Sequence, residues 1–252
     1  PPRSTLFPYT TLFRSRENYP DALGYYQKEQ HVAADVESKG YAGLQAGELL
    51  WRLGRYDEAR AAFESAAPAA AKYPPLGLKL ERSQAEMALS RQSYAEAVER
   101  ATRVISEARE DALLRAEAQR VRGLARLGLG RRREAQRDCE AAFATVARLG
   151  EAGGLLVTKT AMLTTAIERG DQARAGRLFS EIRPELESRP ESRWQGLALM
   201  SRLDPAYRNK ARQALDDLSR AWGQQAFSTY LTRPDIAALA RPLLAQNSAR
   251  NE

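Results

Sequence analysis

The fold is legible in one stretch, Leu53-Gly-Arg-Tyr-Asp-Glu-Ala-Arg-Ala-Ala-Phe-Glu-Ser-Ala66. Gly54 suits the left-handed backbone found just past a helix end. After it, Tyr56, Ala59, Phe63 and Ala66 step by three or four, the spacing of one helix face. Before it, Leu44, Leu50 and Leu53 recur on one side of a helix that Gly54 ends. The stretch therefore predicts two antiparallel helices joined by a tight turn. The small Ala59 lets the pair approach closely, and Phe63 fills the layer beside it.

The same pattern recurs along the chain. A small residue is followed four later by a bulky or sulphur-bearing one at Ala22/Tyr26, Ala59/Phe63, Ala135/Cys139 and Ala175/Phe179, with Ala97/Ala101 a smaller version. Successive anchors lie 37, 38, 38 and 40 residues apart. Tyr19, Tyr56 and Tyr94 stand three residues before Ala22, Ala59 and Ala97, and Gly54, Gly130 and Gly170 stand five residues before Ala59, Ala135 and Ala175. Breakers fall between units: Pro74-Pro75, the glycine-rich residues 150–154, and Arg189-Pro190. No stretch alternates polar and apolar residues over a useful length, so strands are not expected. Repetition at a fixed period of this size marks stacked units that bury their faces against one another.

The pattern resembles the tetratricopeptide repeat (TPR) superfamily, and residues 53–66 carry the resemblance best. It covers roughly residues 17–182. The period is nearer 38 than the family's usual 34, Arg132 and Gln172 stand in the tyrosine slot, and Gln92 stands in the glycine slot. The resemblance implies an all-α, right-handed α-solenoid of about five antiparallel helix pairs, closed by a C-terminal helical cap. The expected organisation is a repeat array over residues 16–203, a last helix and cap over 204–246, and a frayed polar tail over 247–252. Phe227, Tyr230 and Leu231 share a helical face, and Pro234 suits the first turn of a short helix with Ile236, Leu239, Leu243 and Leu244 on its apolar side. This ending is similar to the ends of repeat arrays attached to large bacterial signalling proteins such as Ser/Thr kinases or caspase-like proteases.

Residues 5–15, TLFPYTTLFRS, resemble a translated sequencing adapter. Residues 1–15 are accordingly set aside as a non-native tail; the true N-terminus is expected to be missing, so the start of this sequence is no evidence against an upstream domain or signal peptide. The whole chain of 252 residues carries +7; without Arg3 and Arg14 it carries +5. Arginine far outnumbers lysine and alanine is abundant, which suggests a GC-rich bacterial genome, so part of the basic excess reflects coding bias. One cysteine cannot form an internal disulfide, and one histidine cannot build a Cys/His zinc site. No apolar run is long enough to span a bilayer, and a cytoplasmic location is expected.

Individual residues give little chemistry. His31, with Asp35 four residues on, has no visible nucleophile or orienting partner. Cys139 reads as a buried core thiol. Residues 150–154 lack the Lys-Ser/Thr of a phosphate-binding loop, and Glu107, Glu110 and Asp111 read as solvated acids at a helix end. A basic cluster of Arg115, Arg120, Arg122, Arg126 and residues 131–133 lacks interleaved aromatics, so nucleic acid is not the expected partner. No catalytic residue, cofactor or metal is expected.

In the resembled family, ligands lie in the concave groove lined by the first helix of each unit. Counting from the anchors, this places Tyr41, Leu44 and Glu48, then Lys79, Arg82 and Glu86, then Arg120 and Leu124, then Val157, Thr160 and Thr164 on that face. The family's Lys-x3-Asn carboxylate clamp is absent: Leu44/Glu48, Arg82/Glu86 and Arg120/Leu124 occupy its slots. Chaperone-tail binding is therefore not expected. Lys79, Arg82 and Arg120 predict a groove that prefers acidic protein or peptide segments. The leading expectation is a non-enzymatic interaction scaffold, the C-terminal array of a larger bacterial signalling or regulatory protein. Two alternatives stand beside it: the sensor arm of a transcription regulator, and an accessory part of an enzyme whose catalytic domain lies upstream.

Overall fold

The computed structural model describes residues 16–32 and 35–245. The expected adapter tail and the frayed C-terminal tail lie outside them. The described residues contain thirteen α-helices, one 3-10 turn and no strand. A leading helix α1 (Tyr19–Val32) precedes five pairs: α2 (Val36–Arg52) with α3 (Tyr56–Lys72), α4 (Pro74–Ser90) with α5 (Tyr94–Glu107), α6 (Ala112–Gly128) with α7 (Arg132–Leu149), α8 (Ala152–Glu168) with α9 (Gln172–Leu186), and α10 (Pro190–Met200) with α11 (Arg208–Trp222). Two short helices, α12 (Gln224–Tyr230) and α13 (Pro234–Leu244), end the described chain. This is the all-α, TPR-like helical repeat that residues 53–66 imply. Consecutive helices pack on one another, and the first helices of successive units also touch.

The turns within the first four pairs are built the same way. Gly54, Gly130 and Gly170 have φ of +83°, +77° and +73°, and Gln92 adopts +61° in the fourth such turn. The next amide reaches back to close the helix end, as in Arg55 N to Leu50 O at 2.9 Å and Ser93 N to Ala88 O at 2.9 Å. A left-handed glutamine is less favourable than glycine. Here its Nε2 donates to Pro234 O at 3.2 Å, so the side chain gains a distant partner.

Close packing of the pair then follows from small residues. The anchors Ala59, Ala97, Ala135 and Ala175 are fully buried. A Cβ added at Gly47 would lie 2.3 Å from the Phe63 ring, and one at Gly123 would lie 2.7 Å from Cys139 Sγ. The glycine-rich break at residues 150–154 is shorter than its composition suggests. Gly150 ends α7 with φ +71°, but Gly153 and Gly154 already belong to α8. A Cβ at Gly154 would meet Val146 at 2.7 Å, so that glycine serves helix contact rather than a loop. α9 carries Pro184 within it and continues to Leu186.

The C-terminal helices return to the beginning of the array. Trp222 Nε1 donates to Glu17 O at 2.9 Å, and Ser192 N donates to Glu17 Oε2 at 2.9 Å. Ser192 Oγ donates to the other Glu17 oxygen. Arg233 is buried; it donates to Arg52 O at 2.8 Å, pairs with Asp235 at 2.7 Å, and lies 3.4 Å from Glu191. Its guanidinium stands 5.3 Å from the rings of both Trp51 and Tyr230. Trp194 Nε1 donates to Tyr230 Oη at 3.0 Å, and Trp222 packs edge-on to Tyr230 at 5.0 Å. One apolar core accordingly runs from Tyr19, Leu44 and Leu49 to Trp194, Trp222, Ile236 and Leu243. The segment read as a cap over an open end thus also joins the last pair to the first two units.

Two predictions arise from this packing. Replacing Ala59 with Leu overpacks a closed contact and should cost about 1–3 kcal/mol in urea denaturation. Arg60→Ala removes only an exposed pair to Asp57 and should cost below about 0.5 kcal/mol; equal effects would refute the anchor register. The second concerns pH. Burial, then the neighbouring Glu191, raises the Glu17 carboxyl to about 7, against the opposing pull of Ser192 and Arg189. A carboxyl that titrates higher when folded holds its proton better in the folded state. Stability should therefore decline as pH rises from about 5 to about 8, by on the order of 2 kcal/mol. Glu17→Gln should flatten that slope in thermal melts; an unchanged slope would show that Glu17 does not carry it.

Candidate functional site

The first helices bring the expected groove residues onto one side of the array, but not in the state their sequence suggests. Arg82 on α4 bridges three helices. Its Nη2 meets Glu48 Oε1 on α2 at 2.8 Å, its Nη1 meets Glu86 Oε2 at 2.8 Å, and its Nε lies 3.4 Å from Glu117 on α6. Arg120 on α6 pairs with Glu86, and Arg52 approaches Glu86 at 3.6 Å. Ser83 Oγ donates to Glu48 at 2.6 Å. Three guanidiniums and three carboxylates thus interlock along α2, α4 and α6.

Burial sharpens this network. Burial alone would lower the Arg82 pKa, but Glu48, Glu86 and Glu117 outweigh it and hold the guanidinium above its ordinary value. Burial alone would raise Glu86; Arg82, Arg120 and Arg52 overcome it and hold the carboxyl below its usual range. Both groups remain ionised because their partners travel with them into the interior. Two expectations are corrected by this geometry. Leu44 and Glu48, only 4% and 2% exposed, are packed inside rather than presented to a ligand. Arg82 and Arg120 are already neutralised, so they give the groove no excess of positive charge for an acidic segment.

The remaining groove residues are accessible. Tyr41 and Lys79 are half-buried, with the Lys79 ammonium 5.5 Å from the Tyr41 ring centre. Leu124 is half-buried against the core of the later units. On α8, Val157 is 46% exposed. Thr160 and Thr164 turn their hydroxyls back to Leu156 O and Thr160 O, each at 2.9 Å. With those donors satisfied locally, α8 offers methyl groups beside Val157. The first helices therefore carry a charged, self-neutralised stretch on α2, α4 and the middle of α6, and a largely apolar stretch on α8 with Leu124.

Arg52, Ser83 and Glu117 were missed as members of the network. A sequence signal for the core of it existed: Glu48/Arg82 and Glu86/Arg120 are both separated by 34 residues. In a repeat of about 38, that offset places an acid one helical turn from the next unit's arginine. Glu140 and Arg174, also 34 apart, repeat the device on the second helices at 2.7 Å.

Other candidates resolve simply. Burial pushes the Cys139 thiol up to about 12, the condition of an inert core sulfur. Asp111 caps α6, accepting from Leu114 N at 2.9 Å. The His31 side chain lies outside the described ones. Among the described residues, no group of His, Cys, Asp and Glu is arranged to hold a metal, and no helix is long and apolar enough to cross a membrane.

No protein-family model matches the chain. No curated protein matches it either. Among solved structures it is similar to the crystal structure of a Rap protein complexed with competence and sporulation factor. That likeness has a TM-score of 0.67 at 13% identity, over 94% of this chain and 74% of that one. At this identity the likeness speaks for the fold.

The network generates a stability prediction. Arg82→Ala strands Glu48 and Glu86 in the interior and should cost about 3–5 kcal/mol in chemical denaturation. Lys79→Ala, which removes only the contact with Tyr41, should cost below about 1 kcal/mol. Comparable losses at the two positions would mean that the buried pairs are not formed.

Proposed function

We propose that this chain is a non-enzymatic interaction scaffold that holds a protein or peptide segment against its first helices. The observation that carries the reading is the groove surface itself. A buried ionic lattice joins α2, α4 and α6, and Tyr41, Lys79, Leu124, Val157, Thr160 and Thr164 remain accessible along the first helices. Preorganisation lowers the ordering cost of binding, and a helix-lined groove with an apolar wall suits an amphipathic segment. The fold shared with a Rap protein that is complexed with competence and sporulation factor supports the same use. The ending of the chain, similar to that of arrays on bacterial signalling proteins, supports a role as the recognition arm of a cytoplasmic signalling or regulatory protein. The groove residues are proposed in two classes: Tyr41, Lys79, Leu124, Thr160 and Thr164 as contacts, and Leu44, Glu48, Arg82, Glu86 and Arg120 as the support beneath them.

The test is a displayed peptide library selected on the wild-type protein. Enriched peptides should bind Thr160→Arg/Thr164→Arg at least about tenfold more weakly, with the circular dichroism of the two proteins superimposable. Undiminished binding by the double variant would remove the groove from the proposal.

A further inference from the structure

Six arginines stand together on the outer face of the third and fourth units: Arg131, Arg132, Arg133 and Arg137 at the start of α7, Arg169 in the turn before α9, and Arg177 on α9. All six are exposed. None forms an ion pair with a carboxylate among the described residues. Their proximity follows from two contacts. Arg169 donates to Gln136, which lies on α7 between Arg133 and Arg137, and Arg174 pairs with Glu140 one turn further along α7. Arg137 and Arg177 occupy the same register, two residues after the anchors Ala135 and Ala175. The nearby acids are already engaged: Glu134 with Arg126 at 3.5 Å, Glu140 with Arg174 at 2.7 Å, Glu181 with Lys159 at 2.9 Å, and Asp171 as the cap of α9, accepting from Arg174 N at 3.0 Å.

This arrangement departs from the rest of the array. The first turns of α3 and α5 carry Asp57, Glu58 and Glu96, as the positive end of a helix favours. The register of Arg137 is Ala61 in the first unit and Glu99 in the second. In α7 Glu134 keeps the place of Glu58 and Glu96, but Arg131, Arg132 and Arg133 stand before it, where α3 has Arg55, Tyr56 and Asp57 and α5 has Ser93, Tyr94 and Ala95. Those cations oppose the helix dipole and one another, and the one acid of that turn, Glu134, is already paired with Arg126. A local rule broken without internal compensation is the mark of a surface shaped by something outside the chain.

We propose that this outer face of α7 and α9 is a second docking surface, distinct from the groove, that receives an acidic segment of a protein partner. Arginine forks match carboxylates in a bidentate geometry that lysine does not provide. The cluster spans two adjacent helices and carries no aromatic side chain among its six members, which fits a short Asp/Glu-rich segment. A nucleic acid would ask for a longer basic track with bases to stack on aromatics. The acid preference that the groove cannot exert is thereby placed on the opposite side of the same helix pairs.

The full chain is tested by fluorescence anisotropy against a labelled Asp/Glu-rich peptide, a Ser/Gly peptide of equal length and a mixed-sequence DNA duplex. The acidic peptide should bind, and its affinity should fall steeply between about 0.05 and about 0.5 M salt. Arg132→Glu/Arg133→Glu/Arg137→Glu should weaken it by about tenfold or more, while leaving selection of groove peptides unchanged. The same variant should melt about 1–3 °C higher than wild type, because acids replace cations at the helix start. Arg137→Glu/Arg177→Glu, placed away from the first residue of α7, should also weaken binding. The proposal is overturned if the acidic peptide fails to bind, if both variants bind it as wild type does, if the duplex binds more tightly at equal salt, or if the triple variant melts lower.

Discussion

At the anchor of each unit a methyl group separates two helices. Ala59, Ala97, Ala135 and Ala175 are fully buried, and the glycines opposite Phe63 and Cys139 leave no space for a Cβ. This near contact sets the distance within a pair. The left-handed turns at Gly54, Gln92, Gly130 and Gly170 set how each second helix leaves the first. Because both constraints repeat, each pair is placed on its predecessor in a similar way, and curvature accumulates. The return of Trp222 and Arg233 to Glu17 and Arg52 is a consequence of that accumulation. Altering the contact at one anchor would therefore be felt far away, at the join between the ends of the array.

Charge is handled in two opposite ways on the two sides of the pairs. On the inner side, acids and arginines of neighbouring units meet as partners, and burial makes each dependent on the other. The paired charges of α2, α4 and α6 thus neutralise one another and leave Tyr41, Lys79 and the α8 methyl groups as the accessible side chains of the first helices. On the outer side, apart from Arg174 with Glu140, the arginines of α7 and α9 that stand exposed form no ion pair among the described residues. The composition counts both sets alike. Only the first is part of the internal architecture.

The join between the ends gives the array a property that open solenoids lack. In a linear stack each unit contacts only its neighbours, and stability is close to a sum over units. Here α1, α2, α10, α11, α12 and α13 share one core, so loosening either end exposes apolar surface belonging to the other. The join also contains two buried carboxyls, Glu17 and Glu191, near a single buried guanidinium, Arg233. Burial, and then the neighbouring Glu191, lifts the Glu17 carboxyl toward neutral pH, so the join between the ends is sensitive to protons.

Much of this molecule is determined by sequence alone. The anchors, the turn glycines and the apolar steps of three and four specify helix pairs because those signals are local: they concern residues within one or two helical turns, and backbone geometry converts them directly into contacts. The exceptions are instructive. Gln92 takes a glycine's conformation while bonded to Pro234, and Gly154 belongs to a helix because Val146 stands against it. The site was less legible. Register placed Tyr41, Lys79, Arg82, Glu86, Arg120, Leu124, Thr160 and Thr164 on the first helices, but not who neutralises whom. Whether Arg82 is a ligand-seeking cation or the buried partner of Glu48 depends on the spacing of α2, α4 and α6. Whether α12 and α13 merely end the array or bind its beginning depends on curvature summed over five pairs. Both are set by packing between residues far apart in the chain, where small angles add up and no short stretch of sequence records the sum.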